Sequence, residues 1–156
     1  MIDPVYLNVL RQIHARLFNT DVNWVVTGSF GFALQGIPVQ PNDIDIQTDK
    51  AGAYEIERRF SDVVIRKVEF SATERIKSHF GALQIDGIEV EIMGDIQKWG
   101  ADGVWEEIVD PARYRQMVEI AGFLIPVLSL EYEYQAYLKF GRVEQAKMLR
   151  RWLDSG

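Results

Sequence analysis

Trp24-Val25-Val26-Thr27-Gly28-Ser29, followed downstream by Asp43-Ile44-Asp45-Ile46, is the stretch that decides how this chain reads. The apolar run at its start has the character of a buried strand, and Gly28-Ser29 is the turn that leaves it. In the second segment aspartate alternates with isoleucine. A strand repeats every two residues, so both carboxylates fall on one face and both isoleucines on the other. Two fixed carboxylates side by side repel each other unless a cation lies between them. Mg²⁺ takes oxygen ligands, typically one or two carboxylates together with substrate phosphates. A glycine turn lets backbone N–H groups approach a phosphate closely, and a helix behind it favours the anion. These parts describe a metal–nucleotide site.

Working outward, Asp3-Pro4 predicts a helix start, with Tyr6, Leu10, Ile13 and Leu17 at helical spacing. Asn23–Thr27 is the first expected strand, Phe30–Leu34 a short helix, and Asp43–Thr48 the second strand. Asp49 caps a helix through Ala53, Ile56 and Phe60. Val63–Phe70 reads as a strand, and the polar stretch Ser71–Ser78 as a loop or short helix carrying Arg75 and Lys77. Asp86-Gly87 between alternating runs predicts a hairpin of Phe80–Ile85 with Ile88–Met93. Residues 94–112 read as irregular, and Ala121-Gly122 as the turn of a second hairpin. Ser129 opens a helix to Phe140, Gly141 ends it, and Arg142–Leu153 is a final helix. The aromatic row Tyr132, Tyr134, Tyr137, Phe140 and Trp152 reads as core. The expected fold is α+β: a small mixed β-sheet flanked by helices, closed by a C-terminal α-hairpin at about residues 129–154. No break in composition divides the 156 residues, so one domain is expected.

The composition is that of an ordinary globular protein, 47% hydrophobic and 26% charged. No apolar run reaches the roughly 20 residues of a membrane span, and no signal peptide is visible. The absence of cysteine rules out a disulfide framework or thiolate metal site and fits a cytoplasmic location. A net charge of −6 speaks against an extended nucleic-acid surface.

A third carboxylate is expected from Ile88-Glu89-Val90-Glu91-Ile92, where Glu89 and Glu91 share a face. If that strand neighbours Asp43–Ile46, one of the two glutamates joins the aspartates. Three oxygen ligands suit a pair of divalent ions about 3.5–4 Å apart, which clamp attacking and leaving oxygens in nucleotidyl transfer. His79 reads first as a loop or edge residue and Lys139, Arg142 and Lys147 as a solvated helix face, with contact to a nucleotide the alternative for each, and His14 reads as structural.

With Gly28-Ser29, the short helix behind it, Asp43-Ile44-Asp45 and a later strand acid, the chain resembles the DNA polymerase β-like nucleotidyltransferase superfamily. It is most similar to that superfamily's small prokaryotic minimal nucleotidyltransferases, some of them toxin–antitoxin components. The resemblance covers about residues 23–93. It implies the nucleotidyltransferase type of sheet and transfer of a nucleoside monophosphate from an NTP, with Mg²⁺ or Mn²⁺ as cofactor. It implies that Asp43, Asp45 and Glu91 are the catalytic metal ligands and that Gly28 and Ser29 hold phosphates. Relatives commonly carry arginine, then threonine or serine, just before the first aspartate, where this chain has Gln40 and Asn42. Arg75 and Lys77 are therefore expected to supply the nucleotide-binding cations. The acceptor hydroxyl, on a small molecule, a protein or an RNA end, is not specified by the sequence. A non-catalytic nucleotide- or partner-binding relative is the alternative reading, with a protein partner or homodimer as its expected company.

Overall fold

The computed structural model describes residues 2–155. Helix α1 (Pro4–Leu17) starts where expected: Asp3 caps it by accepting the Val5 N–H at 2.9 Å, and Pro4 opens the first turn. There follow β1 (Trp24–Thr27), α2 (Gly28–Leu34), β2 (Ile44–Thr48), α3 (Lys50–Arg59), β3 (Val64–Ala72), β4 (Ile76–Ile85) and β5 (Ile88–Lys98). The chain closes with β6 (Arg115–Ile120), β7 (Phe123–Leu128), α4 (Leu130–Lys139) and α5 (Val143–Ser155). The fold is α+β, a seven-stranded mixed sheet in the order β3-β4-β5-β2-β1-β7-β6 with helices at its flanks. No helix of the described residues is long and apolar enough to cross a membrane.

The alternation in β2 does what its spacing requires. Ile44 and Ile46, with Val90 and Ile92 of β5, are fully buried in the main core beneath Val9, Leu10 and Ile13 of α1. The odd-numbered residues of both strands are thereby turned to the opposite face. Strand β2 pairs in parallel with β5 and antiparallel with β1. Both expected hairpins form, each on two residues of positive φ: Asp86 and Gly87, then Ala121 and Gly122. That is the turn geometry whose twist matches the flanking strands.

Three expectations are corrected. Ser71–Ser78 is neither loop nor helix: β3 runs to Ala72 and β4 resumes at Ile76, with Ser71 opposite Ser78 and Ala72 opposite Lys77. Thr73 Oγ1 closes the tight turn between them by accepting the N–H groups of Arg75 and Ile76. The start of residues 94–112 is also ordered, because β5 continues to Lys98, paired with the extended β4. The aromatic row is not core. Tyr132, Tyr134, Tyr137 and Phe140 are half-buried and Trp152 is 39% exposed, whereas the side chain that α4 buries is Glu133. A second, smaller apolar cluster of Phe32, Ile37 and Leu149 holds α5, with Tyr134 and Tyr137 packed against it.

Candidate functional site

The parallel register sets Asp45 directly beside Glu91, and the antiparallel register sets Thr27 directly beside Asp45. Asp43 lies one residue ahead of β2. One carboxylate oxygen each from Asp43, Asp45 and Glu91 falls within 4.8 Å of the others, an oxygen-only donor set suited to a hard divalent ion. Glu89 stays outside this group, exposed on the same strand face.

The turn at Gly28 is tied to the same cluster. Gly28 has φ +67°, and a Cβ there would stand 2.6 Å from Asp45 Oδ2. Only glycine permits both the left-handed backbone and this approach. Ser29 is half-buried at the first turn of α2.

The acids carry the electrostatic mark of crowding. Burial, then the charge of Asp43, pushes Asp45 up to about 6, with Lys98 opposing. Burial, then the charge of Asp45, pushes Glu91 up to about 7. Asp43 is raised by burial and by Glu89. A cation bound among them would lower these values and displace the protons to solvent.

Asp45 and Glu91 stand in a cleft of about 500 Å³ between the sheet and the C-terminal helices, whose walls include Gly28, Arg75, Lys98 and Arg142. Of the two expected cations, Arg75 lines this cleft, whereas the Lys77 ammonium lies 4.5 Å from the centre of the Trp105 ring. Gln40 is exposed in the segment before β2. Arg142 reaches the cleft; Lys147 instead meets Glu144 at 3.6 Å. His79 is hydrogen-bonded to the Tyr54 hydroxyl at 3.0 Å, and His14 stacks on Phe18.

Sequence reasoning passed over Glu133 and Lys98. Glu133 lies within the aromatic row, at helical spacing from Leu130 and Tyr137. An acid on that face was the available signal. Burial pushes it up to about 7, against hydrogen bonds from Thr27 and the Gly28 backbone. Lys98 lay in a stretch read as irregular, so no strand face was assigned to it.

A mixed sheet that brings a glycine turn and acids from two adjacent strands to the floor of one cleft is the arrangement of a nucleotidyltransferase. The chain belongs to the aminoglycoside-2''-adenylyltransferase family, whose sequence pattern matches residues 9–150. It is 65% identical to a Thermotoga maritima protein provisionally assigned as a nucleotidyltransferase, whose crystal structure superposes with a TM-score of 0.86. That match covers 100% of this chain and 97% of the other. ANT(2'')-Ia in complex with adenylyl-2''-tobramycin shares the fold at 14% identity and a TM-score of 0.60, over 95% of this chain and 89% of that one. Lincomycin-bound LnuA, a lincosamide antibiotic adenylyltransferase, does so at 15% identity and 0.57, over 96% and 97%. No curated protein matches the chain.

Proposed function

We propose that the chain transfers a nucleoside monophosphate from an NTP to a hydroxyl of a small-molecule acceptor, with Mg²⁺ or Mn²⁺ as cofactor. The observation that carries this reading is the convergence of Asp43, Asp45 and Glu91 on the glycine turn at one cleft. In this reading Asp43 and Asp45 hold the metal, and Glu91 completes the ligand set. When bound, divalent ions would supply charge neutralisation for the phosphates and acidify the attacking hydroxyl. The turn at Gly28 and Ser29 would hold phosphate oxygens through the N–H and hydroxyl of Ser29. Arg75 and Arg142, on the walls of the cleft, would take the part of the arginine that Gln40 replaces. Lys77 would contribute only by leaving its place on Trp105.

The family's name and the adenylylated antibiotic held by ANT(2'')-Ia support ATP as donor and a polyhydroxylated small molecule as acceptor. A screen of the four NTPs with Mg²⁺ or Mn²⁺ against aminoglycoside, lincosamide, RNA and protein acceptors tests this. Labelled transfer to a small molecule, lost in Asp45→Asn, is the expected result.

A second reading, a non-catalytic relative that binds a nucleotide or a partner, is favoured by Gln40 in place of arginine. Nucleotide binding without transfer to any acceptor would support it.

A further inference from the structure

Glu133 is the one charged side chain buried among the described residues, at 7% exposure, and the chemistry proposed above does not use it. It comes from α4, far along the chain from the turn it touches. Its Oε1 accepts a 2.7 Å hydrogen bond from Thr27 Oγ1, and the Gly28 backbone N–H faces the same carboxylate. Its Oε2 is enclosed with no hydrogen-bond partner among the described residues. Thr27 and Gly28 form the corner at which β1 becomes α2. That corner lies close beside Asp45 of β2 and is held by Glu133 from α4.

A buried acid with one oxygen unsatisfied is a poor choice for stability alone, since an apolar side chain would fill the space without a charge to desolvate. It is a good choice for fixing a corner: an ionised carboxylate accepts from a hydroxyl and an N–H together and carries no donor of its own to satisfy. With the Gly28 N–H held inward, the turn's donors for a phosphate are those of Ser29.

We infer that Glu133 is a positioning residue of the nucleotide site. From α4 it sets the Thr27–Gly28 corner, and through it the distance between the phosphate turn and the carboxylate cluster. This inference rests on the reading of the cleft as a nucleotide site. It makes the C-terminal hairpin part of the nucleotide site.

The test is calorimetric titration of wild type, Glu133→Ala, Glu133→Gln and Thr27→Val, first with Mn²⁺ alone and then with Mg²⁺-ATP. Glu133→Ala is expected to weaken ATP binding about tenfold, the scale of one lost charge-assisted hydrogen bond, with Mn²⁺ affinity held within about twofold. Glu133→Gln keeps an acceptor oxygen at the corner and is expected to stay within about threefold of wild type. Thr27→Val, which removes the donor without changing side-chain shape, is expected to weaken ATP on its own, and its combination with Glu133→Ala to add little further. If Glu133→Ala fails to fold, Thr27→Val carries the comparison. Unchanged ATP affinity in Thr27→Val, and in Glu133→Ala where it folds, would overturn the positioning role. So would equal losses of Mn²⁺ and ATP affinity. A wild type that binds Mn²⁺ but no nucleotide would instead bring down the nucleotide reading, and this inference with it.

Discussion

Gly28 is constrained twice, by its backbone and by its neighbour. A residue with a Cβ at φ +67° pays roughly 1–2 kcal/mol for the left-handed conformation, and here its Cβ would also displace the Asp45 carboxylate. Gly28→Ala is therefore expected to lower unfolding stability by about that amount in urea titration and to weaken Mn²⁺ binding as well. Asp45→Asn should act differently. It removes a charge that the ion needs and the metal-free fold must tolerate, so the metal-free melting temperature is expected to hold or rise while Mn²⁺ affinity falls. Undiminished metal affinity in Asp45→Asn would remove it from the ligand set. The two aspartates were legible in the sequence because alternation needs only the chain itself. Alternation alone left Glu89 and Glu91 on one face of β5, and the family resemblance favoured Glu91. The register, which puts Glu91 beside Asp45, separates them in space.

Among the elements, the paired β3–β4 arm brings Arg75 to the cleft on a turn closed by Thr73. An arginine–phosphate contact is worth roughly 1.5–3 kcal/mol, so Arg75→Ala should weaken NTP binding about ten- to a hundredfold at fixed Mg²⁺. No change in affinity would assign the phosphate contact to Arg142 instead. The sequence hid this arm because Ser71–Ser78 has the polar composition of a loop, whereas its order comes from β3 pairing with β4 and β4 in turn with β5, a partner that lies later in the chain. Helix α5 depends on a different contact. Leu149 is fully buried in the small cluster with Phe32 and Ile37. Leu149→Ala is expected to cost about 2–5 kcal/mol by transfer and cavity effects, read as a lower unfolding midpoint.

At the scale of the whole molecule, the acids make stability depend on pH. Asp45 is raised from 3.8 to about 6, and Glu91 and Glu133 from 4.5 to about 7. Between the unfolded and folded values the native state holds more protons than the unfolded chain, so these groups lower stability as pH rises through that window. The metal-free protein is thus expected to melt lower at about pH 8 than at about pH 5.5. A divalent ion must displace the protons of Asp45 and Glu91, so its stabilisation should be larger at the higher pH. Saturation at a hundred times Kd is worth about 2.7 kcal/mol. Thermal melts with and without Mn²⁺ at both pH values check the sign. A metal-induced rise that is larger at the acid pH would count against the carboxylate cluster as the binding site.

What the sequence determined by itself is everything that depends on near neighbours along the chain. It set the strand–turn of Trp24–Ser29, the facing of Asp43 and Asp45, the two hairpin turns, and the cap of α1. What only the tertiary structure decided depends on residues far apart in number. The parallel register set Glu91 beside Asp45, the extension of β4 against β5 carried Arg75 to the cleft, and the docking of α4 buried an acid against Thr27 and Gly28. Local periodicity fixes which face a side chain takes. Which strand or helix lies opposite that face is set by burial of the whole core, and no window of sequence contains it.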